Sequence, residues 1–71
     1  MNADITRELL SRMEEAKALC QDMRFGQMLA TLGLLAEDMN GRTLWDIEDA
    51  ELVAVLERFR QDLLRREVNV A

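Results

Sequence analysis

Three stretches of the chain repeat apolar residues at the three- and four-residue spacing of an α-helix, and each leaves its opposite face polar. No window alternates apolar and polar residues for long enough to indicate a β-strand. The pattern predicts helices over about 4–21, 25–39 and 47–66, with a frayed tail at 68–71. We therefore expect one all-α domain, a small antiparallel three-helix bundle.

The apolar stripes of the three predicted helices are expected to face one shared core. The first stripe consists of Ile5, Leu9, Met13, Ala16, Leu19, Cys20 and Met23, the second of Phe25, Met28, Leu29, Leu32, Leu35, Ala36 and Met39, and the third of Leu52, Leu56, Phe59 and Leu63. Counted on at about 100° per residue, the second stripe lies nearly half a turn from the first. The chain must therefore turn between residues 21 and 26, where Gly26 supplies backbone freedom.

The ends of the first two helices carry recognisable capping residues. Asp4 is a suitable N-cap for the first helix. Asn40 and Gly41 follow the last apolar residue of the second helix, and Gly41 suits the left-handed conformation that ends many helices. These signals support the predicted boundaries.

Two start signals overlap before the third helix. Thr43 to Asp46 fits a capping box, and Asp46 to Asp49 offers a second cap one turn later. We favour the second register, with Asp46 as the N-cap. In that register Trp45 precedes the cap and is expected to pack against Ala50 as a hydrophobic staple.

Several apolar residues remain outside the three stripes. Val53, Val55 and Leu64 flank the third stripe and widen its apolar face to about half of the helix circumference. Leu10 and Leu34 lie off their own stripes. Monomers expose single apolar side chains routinely, but a contiguous set favours contact with a second chain, most simply in a homodimer. The predicted partner interface consists of Leu34, Leu44, Trp45, Val53 and Leu64.

The start of the third predicted helix is acidic, with Asp46, Glu48, Asp49 and Glu51 in close succession. A calcium-binding EF-hand loop needs an oxygen ligand at its fifth position and Gly at its sixth. Counted from Asp46, these positions hold Ala50 and Glu51, so the pattern fails. The acids are better explained as favourable charges at a helix start. A contact with a basic partner remains an alternative for the same four residues.

Composition narrows the possible chemistry. The chain has 71 residues, no His and one Cys, so it lacks the side chain best suited to proton transfer near neutral pH and any metal-ligand spacing of His and Cys. Cys20 lies on an apolar stripe, which predicts a buried, inert thiol. We expect no enzymatic activity, no cofactor, no metal and no small-molecule ligand.

The net charge of −5 bears on the choice of partner. It disfavours nonspecific binding to nucleic acids or to anionic membranes. Arg58, Arg65 and Arg66 are interleaved with acids, as is typical of a solvated helix face. The charge also motivates the alternative function: an acidic inhibitor or regulator (an immunity protein, an antitoxin or a nucleic-acid mimic) that binds a basic site.

Three sequence features indicate the compartment in which the protein works. The first four residues lack the basic start and apolar core of a signal peptide, and no apolar run approaches the ~20 residues of a membrane span. A single Cys cannot form an internal disulfide. We therefore expect a cytoplasmic protein that makes no contact with membranes and whose partner is another protein chain.

Two segments resemble a pattern found in short uncharacterised bacterial helical proteins. Residues 24–29 read RFGQML and match R-x-G-Q-x-L, and residues 45–52 read WDIEDAEL and match W-D-I-E-D-x-E-L. The resemblance covers roughly the C-terminal two-thirds of the chain and implies a bacterial source, but the group has no established activity. If the shared pattern is structural, Arg24 or Gln27 contacts the loop that carries Asp46 and Asp49, with an Arg24–Asp ion pair as the specific expectation.

Overall fold

The fold consists of three helices, as the sequence pattern predicts. A computed structural model describes the backbone of residues 3–69 and the side chains of residues 4–66. The helices are α1 (Ala3–Leu19), α2 (Phe25–Asn40) and α3 (Asp49–Asn69), and this part of the chain contains no strand. The predicted all-α bundle is confirmed. Because α3 continues to Asn69, residues 68 and 69 of the tail predicted to fray are helical, and residues 70 and 71 lie outside the described residues.

The third helix is the centre of the bundle. It packs against both α1 and α2, whereas α1 and α2 contact each other much less. The helices α1 and α3 run parallel, because Arg12 pairs with Glu57 and Glu15 pairs with Arg60 at the same sequence separation. Short connections at 20–24 and 41–48 reverse the chain twice, so α2 runs antiparallel to both.

The core combines residues from all three helices. Its buried members are Ala16, Cys20, Met28, Leu32, Ala36, Val55, Leu56, Phe59 and Leu63. The assignment of Val55 to the flank of the third stripe was wrong, because its side chain is 0% exposed. The physical reason is the position of α3 between two neighbours, which buries a wider arc of its surface than one neighbour would.

The second helix buries a narrower stripe than its sequence predicts. Met28, Leu32 and Ala36 are buried, but Phe25 and Leu29, which the pattern assigns to the core, are exposed. Met39, also assigned to the core, is exposed at the other end. Since α2 packs mainly against α3 and only slightly against α1, its flank toward residues 25 and 29 has no helix to cover it.

The two glycines predicted to shape the chain behave differently. Gly41 adopts φ +70°, and its N–H donates a 2.8 Å hydrogen bond to the Glu37 carbonyl, which confirms the predicted left-handed end of α2. Gly26 lies inside the first turn of α2 without a positive φ, so the freedom expected of it is not used. The turn instead precedes it, where the Met23 N–H donates to the Cys20 carbonyl at 2.9 Å.

Two expectations about helix starts were wrong. Asp4 lies within the first turn of α1, which begins at Ala3, and does not precede the helix as a cap. Arg24 is exposed and forms no ion pair in the described part of the chain, so the expected Arg24–Asp contact is not made. Its backbone N–H donates to Gln27 Oε1 at 2.8 Å, which shows that Gln27 caps its own helix and does not reach the loop before α3.

Candidate interaction surface

The most exposed large apolar side chain of the described residues belongs to Trp45, which is 93% exposed. It lies in a hydrogen-bonded turn between α2 and α3. The Thr43 carbonyl accepts from the N–H groups of Asp46 and Ile47 at 3.0 and 3.1 Å, and Thr43 Oγ1 bonds Asp46 Oδ2 at 3.1 Å. The indole is therefore held out into solvent by an ordered turn, and the predicted staple between Trp45 and Ala50 does not form.

Leu44 anchors this turn to the bundle. It is half-buried and packs against the core. Only part of its side chain is therefore exposed for the partner contact that the sequence predicted. Its side chain also lies over Gly33, where a Cβ would meet Leu44 Cδ1 at 3.8 Å. Leu34 and Trp45 are the sequence neighbours of this contacting pair and are both exposed, so Leu34, Leu44 and Trp45 are considered together. We call these three residues the apolar corner.

The other two predicted interface residues are not part of the apolar corner. Val53 is half-buried and Leu64 is 37% exposed, both on α3. They are eleven residues apart, or about 16 Å along a helix. Between them, Glu57 and Arg60 bind α1 through ion pairs. The predicted apolar face of α3 is thus divided by charges, and the structure does not join its two ends into one patch.

The acidic residues beside Trp45 have structural partners of their own. Helix α3 begins at Asp49, two residues later than the favoured register, and its N-cap residue is Glu48 instead of Asp46. Glu51 Oε1 accepts from the Glu48 N–H at 2.8 Å, and Glu51 Oε2 pairs with Arg42. Asp46 is bonded to Thr43. Both predicted starts of the third helix were therefore wrong, because the carboxylate that reaches back to the cap is that of Glu51 and the cap is Glu48.

Ion pairs join α1 to α3 along one side of the bundle. Arg12 Nη1 donates to Glu57 Oε1 at 2.8 Å and also binds Glu8, while Arg60 donates to Glu15 at 2.8 Å. The hydrogen bond from Arg12 lowers the pKa of the Glu57 carboxyl, and bonds to Glu8 and then Glu57 raise the pKa of Arg12. These pairs are solvent-accessible, so they orient the helices more than they stabilise them.

A shallow groove of about 680 Å³ runs along α1 and ends at the first residue of α2. Its apolar wall includes Leu10, Met13, Ala18 and Phe25. Leu10 is 59% exposed and Phe25 is 50% exposed, so the groove is open to solvent. We call it the α1 groove. Sequence reasoning missed it because Phe25 matched the core stripe, although Leu10, which lies off its stripe, was a signal.

Two observations concern the reactive side chains of the described residues. Cys20 is buried, and its Sγ donates to the Ala16 carbonyl at 3.1 Å. No group of three acidic or thiol side chains close enough to hold a metal occurs in the described part of the chain. Within residues 3–69, no helix combines the length and the apolar character that crossing a membrane requires.

Comparison with protein-family models, with curated proteins and with solved structures gave no match.

Proposed function

We propose that this protein is a small non-enzymatic helical interaction module that pairs with a second copy of itself through the apolar corner. The observation that carries the proposal is the 93% exposure of Trp45 on an ordered turn. Trp is highly buried on average in folded proteins and is enriched at the energetic centres of protein interfaces. An exposed indole on an ordered turn therefore favours a site of contact with a second chain over a solvated loop.

The turn around Trp45 favours binding because it is already ordered. Three hydrogen bonds centred on Thr43 fix the backbone before and after the indole. Leu44 ties the same turn to the core. Association loses less conformational entropy when the contacting side chain is held in place beforehand, so this geometry raises the affinity that one large side chain can provide.

Of the interface predicted from sequence, we retain the apolar corner in the proposal and leave out the outer face of α3. Val55 contributes to the core, and the ion pairs of Glu57 and Arg60 occupy the space between Val53 and Leu64. Leu34, at 69% exposure, is the other strongly exposed residue of the apolar corner. The non-enzymatic part of the proposal is supported by the lack of His in the sequence and by the burial of Cys20. A bacterial cytoplasmic origin belongs to the same proposal.

The acidic-regulator alternative has less support. Asp46 and Glu51 are engaged in bonds that shape the turn and the start of α3, and Glu48 is the cap itself. These contacts give the acids a structural cause that needs no basic partner. The two functions also differ in what they require, because only the first depends on association of the pure protein with itself.

Sedimentation equilibrium of the purified protein over a wide concentration range tests the proposal. We expect a monomer–dimer equilibrium that Trp45→Ala weakens by at least about thirtyfold, the effect of losing ~2 kcal/mol at an interface centre. Leu64→Ala is the matched control, because it removes an exposed apolar side chain outside the apolar corner and should leave the equilibrium unchanged. A monomer at every concentration, or equal effects of the two variants, would overturn the proposal.

A further inference from the structure

The α1 groove carries positively charged side chains, although the protein as a whole is acidic. Arg7 and Lys17 line it ten residues apart, about 15 Å along α1. Neither cation forms an ion pair in the described part of the chain, whereas Arg12, Arg42 and Arg60 all do. A protein of net charge −5 thus presents an apolar groove lined by two cations, Arg7 and Lys17, and one acid, Glu14.

The turn that carries Trp45 has the opposite character. Asp46, Glu48 and Asp49 follow the indole directly and form no ion pairs in the described residues. The cation nearest in sequence, Arg42, is already neutralised by Glu51. The indole is therefore an apolar projection accompanied by three uncompensated negative charges.

We infer that the α1 groove is the receptor for Trp45 of a second copy of this chain, an inference that rests on the proposed self-association. The apolar wall of Leu10, Met13 and Phe25 matches the indole, and Arg7 and Lys17 match the acids that follow it. Opposite charges placed in this way select the partner and its orientation. Since Trp45 is 93% exposed, it does not occupy the groove of its own chain.

The groove also suits the polar parts of an indole. Its volume is about 680 Å³, and it is open to solvent along one side, from which a side chain of a second copy can enter. Glu14 lines the groove and provides an acceptor for the indole N–H, which usually finds a partner when it is buried. Each copy presents one indole and one groove, so two copies can satisfy each other reciprocally.

A mixing experiment with two variants tests the inference. Trp45 is the only Trp and the chain has no Tyr, so Trp45→Ala gives a chain with an intact groove and no Trp emission. Leu10→Glu gives a chain that keeps Trp45 but carries a negative charge in its groove. Both positions are more than half exposed, so both variants are expected to fold, which circular dichroism verifies.

Titrating the Trp45→Ala chain into the Leu10→Glu chain is expected to shift the Trp45 emission to shorter wavelength and to saturate. Leu10→Glu alone is expected to show no concentration-dependent shift. The matched control is a chain with both substitutions, which has neither indole nor groove and should leave the emission unchanged. Adding Lys17→Glu to the Trp45→Ala chain is expected to weaken the titration about tenfold, and high salt is expected to weaken it severalfold.

The outcomes separate this inference from the proposed function. If Trp45→Ala abolishes self-association while Leu10→Glu retains the affinity of the natural chain, the apolar corner binds elsewhere and the groove assignment is overturned. If Trp45→Ala self-associates as well as the natural chain, the proposed function itself fails. An emission that responds equally to the groove-bearing chain and to the double variant also overturns the inference.

Discussion

Arg12 on α1 donates a 2.8 Å hydrogen bond to Glu57 on α3, and this bond lowers the pKa of the Glu57 carboxyl. Arg60 binds Glu15 three residues further along both helices. The repeat of the same spacing is what identifies α1 and α3 as parallel neighbours. The two pairs also occupy the surface that would otherwise join Val53 to Leu64.

Glu57 makes stability depend on pH in a definite direction. Because its pKa is lower in the folded chain than in the unfolded one, its contribution is present above the unfolded pKa and is lost as pH falls through the folded pKa. Thermal unfolding followed from pH 7 down to pH 3 should therefore show a smaller acid-induced loss of Tm in Glu57→Gln than in the natural chain. Glu14→Gln, at a position without an ion pair in the described residues, is the control. Identical pH profiles for all three chains would contradict the assignment.

Val55 and Val53 are chemically matched residues in different surroundings. Val55 is completely buried, whereas Val53 is half-buried beside the ion pairs. Val55→Ala should lower the free energy of unfolding by about 2 kcal/mol, since it removes buried methyl groups and leaves a cavity. Val53→Ala should cost less than half as much. Urea unfolding measures both, and equal losses would mean that α3 is not seated between its two neighbours.

Gly33 and Gly41 should respond to alanine with opposite signs. At Gly33, inside α2, a Cβ meets only Leu44 at an ordinary 3.8 Å, so Gly33→Ala should stabilise the protein by up to about 1 kcal/mol. At Gly41, φ is +70°, and Gly41→Ala should cost about 1 kcal/mol or more because side chains disfavour this conformation. Urea unfolding of the two variants gives the comparison. Stabilisation by both would show that α2 does not end in a left-handed residue.

Glu51 and Asp49 should differ in how much they contribute to the stability of the protein. Glu51 accepts from the Glu48 N–H and pairs with Arg42, so Glu51→Ala should cost about 1 kcal/mol of unfolding free energy. Asp49 is exposed in the first turn, and Asp49→Ala should cost only a few tenths of a kcal/mol through the helix dipole. Chemical denaturation monitored by circular dichroism tests the difference. The reverse order would mean that Glu51 does not hold the start of α3.

Periodicity predicts the helices well because every helix here has a strong apolar stripe. It does not reveal how many neighbours each helix has. The central position of α3 buries Val55 beyond its stripe, and the sparse contact between α1 and α2 exposes Phe25 and Leu29 within theirs. Both errors have the same cause, since the width of a buried face depends on the arrangement of helices and not on one helix alone.

Capping residues predict the end of α2 correctly but not the start of α3. Gly41 follows Asn40 at a helix end where few other residues fit, so its role is readable from sequence. Before α3, Thr43 and Asp46 offer two valid starts, and the chain uses Thr43 for a separate turn and Glu48 for the helix. That choice holds Trp45 out in solvent. The apolar corner is therefore partly visible in the sequence, but its shape depends on this turn.

Trp45 provides the most direct measurement of the central claim, because it is the only Trp in a chain without Tyr. Its emission can be recorded as the concentration of the unmodified protein is raised, with the molar mass measured on the same samples. If the chain pairs through the apolar corner, the emission maximum moves to shorter wavelength over the range in which the mass rises from monomer to dimer. An emission maximum that stays at the fully exposed position at every concentration, with or without a rise in mass, would contradict the account.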